Sequence, residues 1–271
     1  MGNLQGKIAV VTGASRGIGK GIAIALGEQG CTVYVTGRTT GDGERTIDTT
    51  ARLVTEAGGQ GRAIACDHGD DAAIAGLFQR IGSEVDHIDI LINNVYKIPS
   101  PPAWGGGYWD HPIQVWDDQV GIGLRAHYVA SWHASALMFA SAGAVMVNVS
   151  SPGGQEYHFS SSYGAGKAGL DRLTADMALE LKPKGIPAIV LYPGAVATEF
   201  IQDAAKEREM DLSQSQTPLL VGRSVAALVQ AEGLIERTGS IQWVENLVDE
   251  FDLYDENGAR PTQRYANTSG G

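Results

Sequence analysis

The apolar residues of this chain follow two alternating patterns, short unbroken runs and stretches with helical spacing. An unbroken run such as residues 7–12 is typical of a strand that is covered on both faces. Ile18, Ile22 and Leu26 instead recur on one side of a helix. The predicted strands are residues 7–12, 31–36, 63–66, 88–92, 144–149, 188–191 and 241–244, and the predicted helices are residues 17–30, 44–57, 70–85, 114–140, 163–181 and 223–231.

The order of these elements predicts the fold class. Strands that alternate with helices form right-handed β-α-β units, which build a parallel sheet with helices on both faces. We therefore expect an α/β, doubly wound parallel sheet of about seven strands, a Rossmann fold, as one domain over residues 1–271. Two segments depart from the alternation, an aromatic and Gly-rich insertion at 96–113 and a polar C-terminal tail at 249–271.

A glycine-rich loop, T-G-A-S-R-G-I-G at residues 12–19, connects the first strand to the first helix. Gly13 allows a sharp turn, while Gly17 and Gly19 allow a ligand to approach the backbone closely. The helix that starts here offers N–H groups and the positive end of its dipole to a pyrophosphate. Because the glycines stand between a strand and a helix, they indicate a dinucleotide site. The residues expected to bind the cofactor are Gly13, Ser15, Arg16, Gly17, Ile18 and Gly19.

The end of the second strand distinguishes the two nicotinamide dinucleotides. NAD-selective sites usually place an acid there to hold the ribose 2′-hydroxyl, but this chain has Gly37 at that position. Arg38 follows, and Arg16 lies in the glycine-rich loop, so two guanidinium groups can reach a 2′-phosphate. The sequence therefore favours NADP (NADPH) over NAD.

Tyr163 and Lys167 are four residues apart in the helix that follows the fifth strand. Side chains with this spacing share one face of a helix. An ammonium group and a nicotinamide cation favour the phenolate and lower a pKa that starts near ~10, which makes the tyrosine a usable acid near neutrality. Ser150 and Ser151 end the fifth strand, at the sheet edge where ligands bind in such folds. A hydroxyl there can polarise a substrate oxygen.

The overall charge and composition limit the classes of partner. With a net charge of −11, the chain lacks the basic surface of a nucleic-acid binder. No apolar run reaches the ~18 residues of a membrane span and no secretory leader is recognised, so the cytoplasm is the expected location. Cys31 and Cys66 are interpreted as buried free thiols. Neither the cysteines nor the scattered His111, His133 and His158 indicate a metal site.

Six motifs resemble the short-chain dehydrogenase/reductase family in their order along residues 4–244. They are T-G-A-S-R-G-I-G, Cys66-Asp67, Asn93-Asn94, the strand end Ser150-Ser151, Y-G-A-G-K, and P-G-A-V-A-T at residues 193–198. Three further segments, W-D-D before G-L-R-A-H-Y, S-S-P-G-G-Q-E-Y, and D-E-N-G-A-R-P, resemble a branch of that family known from mammals.

The resemblance implies a role for each matching residue. Tyr163 would give a proton to the substrate carbonyl during reduction, Lys167 would lower the tyrosine pKa and bind the nicotinamide ribose, and Ser151 would polarise the substrate oxygen. In this family, helices like those at 114–140 and 163–181 pair between subunits, so a homodimer or homotetramer is expected. The other expected cofactor contacts are Asp67 at the adenine, Asn93 at the adenosine ribose, Pro193, and Val196 and Thr198 at the carboxamide.

Three positions depart from the family pattern. Gly123 stands where the family usually has an asparagine that steadies a water linked to the lysine, so the proton relay must use the backbone or another group, with His127 as a candidate. Tyr96 stands where the usual N-N-A-G has glycine, which would narrow the substrate side. Counting back from the catalytic tyrosine favours Ser150 as the polarising hydroxyl, whereas the strand end favours Ser151, the residue we expect.

Aromatic residues near the insertion predict an apolar substrate side. They would form a wall for an apolar carbonyl compound, or else pack the loop or a subunit interface. Residues 199–218 have the position of the family's substrate lid. The aromatic residues are Tyr96, Trp104, Tyr108, Trp109 and Trp116.

The expected function is the reduction of a ketone or aldehyde of a small apolar substrate by NADPH. The alternative is an NADP-binding sensor or regulatory protein without turnover, which retention of the Tyr163–Lys167 pair disfavours. Reduction of an enoyl C=C bond is a further variant, which the spacing of Y-G-A-G-K and the two serines fits less well.

Overall fold

A computed structural model describes residues 4–261 of the chain. Strands and helices alternate along most of this range, as the apolar pattern predicts. The strands are β1 (Ile8–Val11), β2 (Thr32–Gly37), β3 (Gln60–Ala65), β4 (Ile90–Asn93), β5 (Val145–Val149), β6 (Ala188–Tyr192) and β7 (Ile241–Trp243). The α-helices are α1 (Gly17–Glu28), α2 (Ile47–Glu56), α3 (Asp71–Glu84), α4 (Gln114–Trp116), α5 (Ala126–Phe139), α6 (Ser161–Leu181), α7 (Glu199–Arg208), α8 (Pro218–Leu228) and α9 (Val244–Glu250).

The strands of residues 4–261 form one parallel sheet in the order β3-β2-β1-β4-β5-β6-β7. The chain builds outward from β1 in one direction and then continues from β4 in the other. Ligands bind in the crevice outside the carboxyl ends of the strands at such a switch point. The predicted doubly wound fold of about seven strands is confirmed.

Strand β1 shows why the apolar runs of this chain are unbroken. Ala9 and Val11 face a core that includes residues of α1, α2, α8 and α9. Ile8 and Val10 face the opposite core, which includes residues of α3, α5 and α6. Because helices cover both faces, successive side chains of the strand are all buried, and every position is apolar.

Several element boundaries differ from the predicted ones because polar caps set them. Helix α6 begins before residue 163, since the hydroxyl of Ser160 accepts the N–H of Tyr163 and caps the helix. Helix α8 begins before residue 223, with Thr217 as its cap and Pro218 at its first position. Helix α9 was not predicted at all, because its turns overlap the end of a predicted strand and the polar tail.

The helix predicted at 114–140 is not regular. Helix α4 continues into a π-helical segment, Asp117–Arg125, before α5 resumes normal geometry. This segment packs closely against α6, where a Cβ on Gly169 would lie 2.7 Å from Leu124 Cδ2. Single π-helical stretches within α-helices often occur at functional sites, and this one presents Gln119 to the cavity at the sheet edge.

The C-terminal segment, as far as residue 261, packs back on the start of α8. The carboxylate of Asp255 is buried and accepts the hydroxyl of Thr217 at 2.6 Å. The rest of the expected polar tail, residues 262–271, lies outside the described residues.

Two predictions from composition can be compared with the described residues. Cys31 and Cys66 are buried free thiols, as expected. Burial raises the pKa of Cys31 to about 12 and that of Cys66 to about 11, so both stay protonated at neutral pH. Among the helices of residues 4–261, none is long and apolar enough to cross a membrane.

Candidate active site

The carboxyl edge of the sheet opens into a cavity of about 330 Å³. The segments that follow β1 to β6 all contribute to its lining. Its volume is typical of a small-molecule site. The site residues predicted from the sequence that line it are Gly13, Ser15, Arg16, Gly17, Ile18, Arg38, Asp67, Ser151, Tyr163, Lys167, Pro193, Val196 and Thr198.

The glycine-rich loop approaches its neighbours too closely for side chains. Gly13 has a φ of +65°, and a Cβ there would lie 2.7 Å from Val95 Cα. Gly17 opens α1, and its N–H donates to a carboxylate oxygen of Glu199 at 2.7 Å. Gly19 does not line the cavity, because it packs beneath the loop, where a Cβ would lie 2.5 Å from Gly13 O. The loop thus presents backbone N–H groups at a helix start, the arrangement that binds phosphate.

The end of β2 carries no acidic side chain. Gly37 is buried, and a Cβ there would lie 3.1 Å from the side chain of Ile47, which would have to shift to admit a larger residue. Arg38 is exposed, and its Nη1 lies 3.9 Å from a carboxylate oxygen of Asp67. Arg16 is also exposed and lines the same cavity. The structure therefore brings both predicted arginines to the cavity without a competing acid at Gly37.

Ser151, Tyr163 and Lys167 come together as the sequence predicts. Ser151 Oγ and the Tyr163 hydroxyl are 2.7 Å apart and hydrogen-bonded. The Lys167 ammonium donates to the carbonyl of Val149 at 3.1 Å and lies 5.8 Å from the centre of the Tyr163 ring. All three side chains are largely buried and line the cavity. Two hydroxyls thus converge on one point, with a cation behind them.

Burial and one carboxylate determine the charge of Lys167. Burial lowers the pKa of Lys167 to about 8, while the charge of Asp171, one turn further along α6, raises it. The pKa of Asp171 is itself raised, mainly by burial, and the Tyr192 hydroxyl donates to its carboxylate. With a pKa near 8, Lys167 is mostly an ammonium at pH 7 and loses its proton as the pH rises above 8.

Local capping positions the two hydroxyls. Ser151 caps the 3₁₀ turn Pro152–Gly154 by accepting the N–H of Gly153 at 3.2 Å. Gly153 is required there, because a Cβ would lie 2.5 Å from Tyr163 Cε1. Ser160 caps α6 by accepting the backbone N–H of Tyr163. The backbone of Tyr163 is therefore held by the start of α6, and its ring packs against the turn that Ser151 caps.

Ser150 lies in a different environment from its neighbour. Its hydroxyl donates to the carbonyl of Lys167 at 3.4 Å and also interacts with Asp171. The hydrogen bond to Tyr163 comes from Ser151. The geometry therefore favours Ser151, the alternative that the strand end suggested.

The side chain of Asn93 does not line the cavity. It is fully buried and donates to Ser131 Oγ at 2.9 Å and to Asn148 Oδ1 at 2.8 Å. Its neighbour Asn94 lines the cavity instead and donates to the backbone of Gly13 at 3.0 Å. Strand alternation directs the Asn93 side chain into the core, and the expected contact of this residue with the adenosine ribose stays a prediction.

The expected aromatic wall is only partly correct. Tyr96 and Trp104 line the cavity. Tyr108 and Trp109 are 73% and 74% exposed and Trp116 is half exposed, and none of the three lines it. The wall is completed by two phenylalanines that the sequence reading missed, Phe159 and Phe200.

Contacts between aromatic rings join these distant segments. The Trp104 ring centre lies 5.5 Å from that of Phe200 at the start of α7 and 6.3 Å from that of Phe159. The Phe159 ring lies edge-on to Tyr163 at 5.2 Å. Phe159 also has a φ of +59°, which is uncommon for a residue with a side chain and often occurs at functional sites. No periodic signal marks a single phenylalanine in a turn, so only the fold reveals it.

Gly123 and His127 have well-defined neighbours. Gly123 is buried against the ring of Tyr96, where a Cβ would lie 3.0 Å from Cδ2. His127 is buried and its Nε2–H donates to the carbonyl of Val95 at 2.8 Å. Burial lowers the pKa of His127 to about 3, so the ring is neutral at pH 7. His127 does not line the cavity, and its role as a proton relay stays a prediction.

Among the histidines, His68 has a position in the cavity that the sequence did not indicate. It lines the cavity near Asp67, and its ring nitrogen lies 2.9 Å from the hydroxyl of Thr36. Burial lowers its pKa to about 4, so it is neutral at pH 7. His111, His133 and His158 do not line the cavity. Within residues 4–261, no group of three or more His, Cys, Asp and Glu side chains comes together as a metal site.

Comparison with known proteins identifies the family. The sequence profile of the short chain dehydrogenases matches residues 7–209. In an alignment of 283 positions, gaps included, the chain is 35% identical to human dehydrogenase/reductase SDR family member 1, and the alignment covers 98% of this chain and 88% of the human protein. The mouse protein of the same name is 34% identical over 276 residues, covering 97% and 87%. The branch suggested by the three further segments is thereby confirmed.

Solved structures show the same fold around a nicotinamide cofactor. The Pseudomonas aeruginosa RhlG/NADP active-site complex is 26% identical, covers 89% of this chain and 95% of that chain, and has a TM-score of 0.78. A variant of the actinorhodin polyketide ketoreductase with NADPH is also 26% identical, covers 90% and 97%, and has a TM-score of 0.77. With the profile match, the human and mouse relatives and these neighbours in agreement, the chain belongs to the short-chain dehydrogenase/reductase family of oxidoreductases.

Proposed function

We propose that this protein is an NADP-dependent oxidoreductase that reduces a ketone or aldehyde of a small apolar substrate to the alcohol. The observation that carries the proposal is the convergence of two hydroxyls, Ser151 and Tyr163, at 2.7 Å from each other in the cavity. A carbonyl oxygen seated between them accepts hydrogen bonds from both. A third polar group, Lys167, lies behind the tyrosine ring.

The proposed chemistry adds a hydride to carbon and a proton to oxygen. NADPH, when bound, supplies the hydride. Tyr163 donates its hydroxyl proton to the carbonyl oxygen, so that the C=O group becomes an alcohol. Ser151 donates a hydrogen bond to the same oxygen and stabilises the negative charge that develops on it. The Lys167 ammonium stabilises the phenolate that remains on Tyr163.

The residues of the cavity fit a dinucleotide. Gly13 and Gly17 both have positive φ angles, and a Cβ on Gly13 would collide with Val95, so the loop needs residues without side chains at these positions. Glu199 accepts the N–H of Gly17 at the start of α1, and a pyrophosphate is proposed to compete with this carboxylate for the first turn of the helix. Arg16 and Arg38 are proposed to bind the 2′-phosphate, and Gly37 leaves no acid to repel it. NADP is therefore the proposed cofactor, in keeping with the NADP and NADPH named in the two related structures.

The lining of the other end of the cavity favours an apolar substrate. Its side chains are mostly hydrocarbon, so they bury carbon rather than charge. A charged substrate would lose its hydration here with few partners to replace it. The apolar residues that line this end are Ile98, Pro99, Pro102, Ala103, Trp104, Phe159, Phe200 and Ile201.

A homo-oligomer in the cytoplasm is the proposed setting. Tyr128, Trp132 and Phe139 lie along one face of α5 and are 48%, 65% and 47% exposed, and Leu179 on α6 is 72% exposed. Exposed apolar side chains grouped in this way mark interaction surfaces, and a homodimer or homotetramer would cover them. The buried free thiols are compatible with a reducing compartment.

The test combines cofactor binding with turnover. NADPH is titrated by fluorescence, and its absorbance is then followed with a panel of apolar ketones, aldehydes and quinones. We expect tight binding and turnover, and we expect Tyr163→Phe to lower kcat by about 10²–10⁴-fold while NADPH affinity is kept. An unchanged rate in Tyr163→Phe would refute the assigned acid. Tight binding without turnover on any compound would favour the sensor instead.

A further inference from the structure

The ring of Tyr96 contacts both Tyr163 and Lys167. Tyr96 follows β4 in the chain, and its ring lies edge-on to the Tyr163 ring, with 5.8 Å between the centres and planes at 86°. The face of the same ring lies under the ammonium of Lys167, whose Nζ is 5.3 Å from the ring centre. One side chain thus touches both members of the proposed proton-donating pair.

The space for the Tyr96 ring depends on Gly123. A Cβ at Gly123 would lie 3.0 Å from Cδ2 and 3.3 Å from Cε2 of the ring. Those separations are tighter than ordinary van der Waals contact, so any side chain at position 123 would displace the ring. The absence of a side chain at 123 and the presence of a ring at 96 are therefore complementary.

A hydrogen-bond network fixes the outer end of the ring. The Gln119 amide donates to the Tyr96 hydroxyl at 3.0 Å. The carbonyl oxygen of the same amide accepts the hydroxyls of Ser160 and Ser162, at 3.0 Å and 2.5 Å. Ser160 is the cap of α6 that also holds the Tyr163 N–H. Tyr96 is thereby tied to the helix that carries Tyr163 and Lys167.

Several groups around Lys167 affect the charge of its ammonium, and the ring of Tyr96 is one of them. Asp171 is the acid that favours the charged form of Lys167, from one turn further along α6. Tyr163 faces Lys167 from the same helix. The neutral His127, on α5, is also near Lys167, because the charge of the lysine helps to lower the pKa of His127. The backbone carbonyl of Val149 accepts the hydrogen bond of Lys167. The negative face of an aromatic ring attracts a buried cation as well.

We propose that Tyr96 is a positioning residue of the active site. Its ring holds the Lys167 ammonium near Tyr163 and fills the space that Gly123 leaves open. This inference rests on the proposed reductase function for its catalytic consequence, because the ammonium is the group that stabilises the Tyr163 phenolate. The contact itself is a property of the protein alone. The hydroxyl of Tyr96 serves to orient the ring through Gln119, and the ring face is the part that acts on the lysine.

Two substitutions separate the ring from its hydroxyl. Tyr96→Phe keeps the ring face and loses the bond to Gln119, whereas Tyr96→Leu keeps an apolar neighbour and removes the face. Loss of a desolvated cation–π contact, worth ~1–2 kcal/mol, lowers the pKa of Lys167 by about one. We expect that fall in Tyr96→Leu and a much smaller one in Tyr96→Phe. Tyr108→Leu is the matched control, because Tyr108 is exposed and does not line the cavity.

The readout is the titration of Lys167 itself, followed by ¹³C NMR of protein labelled at lysine Cε and assigned with Lys167→Arg. Thermal unfolding and NADPH binding confirm that each variant is folded. In turnover, the alkaline limb of the kcat/KM profile, which reports groups of the free enzyme, should move to lower pH in Tyr96→Leu by the same amount. A Lys167 pKa in Tyr96→Leu equal to that of the wild type would overturn the inference.

A third variant tests the link to position 123 from the other side. Gly123→Ala adds a Cβ against the ring, so it should displace the ring and lower the Lys167 pKa by less than Tyr96→Leu does. The double variant should then have nearly the same Lys167 pKa as Tyr96→Leu, because the ring that Gly123→Ala displaces is already absent. The NMR titration needs no substrate. A wild type without turnover would therefore refute the proposed function and leave the ring–lysine contact to be decided on its own.

Discussion

The two ends of the cavity are built in different ways. At the cofactor end, the glycine-rich loop and the first turn of α1 present backbone groups, and side chains are kept away because Cβ atoms at Gly13 and Gly19 would collide with neighbouring atoms. At the proposed substrate end, aromatic side chains from segments far apart in the chain meet near Tyr163. A site made of backbone needs a short contiguous motif, whereas a site made of side chains needs the whole fold.

Helix α7 joins the two ends. Its first residue, Glu199, reaches the N–H of Gly17 in the glycine-rich loop. Its last residue, Arg208, lies over the ring of Trp104, with 4.6 Å between the guanidinium carbon and the ring centre. Helix α7 therefore contacts both ends of the cavity, and its role as a substrate lid stays a prediction.

Three substitutions test this comparison of the two ends of the cavity. The largest effect is expected when one arginine at the cofactor end is removed. Arg38→Ala deletes a proposed charge-assisted contact to the 2′-phosphate, worth ~1.5–3 kcal/mol. The Kd for NADPH should rise by about 10–100-fold, while the Kd for NADH changes little. Fluorescence titration with both cofactors measures this. Arg52→Ala, an exposed arginine on α2 that does not line the cavity, is the control. Equal losses for NADPH and NADH would contradict the cofactor assignment.

At the substrate end, one tryptophan should matter and its neighbour in the insertion should not. Trp104→Leu removes a ring from the cavity wall and should raise KM for an apolar ketone by about tenfold, with NADPH affinity kept. Trp109→Leu changes a ring that is 74% exposed and should leave KM within about twofold. Steady-state kinetics on both variants decides the matter. Similar KM values for the two variants would mean that the substrate does not contact this wall.

The smallest effect should come from Glu199, the first residue of the helix that contacts both ends. Glu199 places a negative charge at the start of α1, where a pyrophosphate is proposed to bind, so Glu199→Gln should tighten NADPH binding by about two- to fivefold. Glu207→Gln, a solvent-exposed glutamate on the same helix, should leave binding unchanged. Calorimetric titration compares the two variants. Weaker binding in Glu199→Gln would show that the carboxylate supports the cofactor site instead of competing for it.

Prediction from the sequence was most successful where the physical rule is local. The apolar runs located all seven strands of the described sheet, most clearly the central strands β1, β4, β5 and β6, where burial on both faces leaves no polar position in the run. Prediction from the sequence failed at the starts of α6 and α8 and at the π-helical segment. A capping serine or threonine such as Ser160 or Thr217 looks like any other polar residue until the helix is present. The π-helical segment arises from close packing against α6, which no local pattern records.

In the candidate site, too, residues within short motifs could be predicted and residues from separate segments could not. The spacing of Tyr163 and Lys167, the glycines of the first loop and the position of Arg38 could all be read from short stretches of sequence. Ser151 could be separated from Ser150 only when the turn after β5 directed one hydroxyl to the tyrosine. Phe159, Phe200 and Gln119 could not be recognised, because each comes from a different segment and has no motif of its own.

The sequence by itself determined the sheet, the family and the chemical types at the centre, since each of these follows from spacing along a few contiguous residues. Tertiary structure alone decided which aromatic rings face the cavity, that Asn94 rather than Asn93 lines it, and that the Tyr96 ring lies between Gly123 and Lys167. The reason is that packing is a relation between segments distant in the chain. A side chain's neighbours are set only when the sheet and its helices have closed around it.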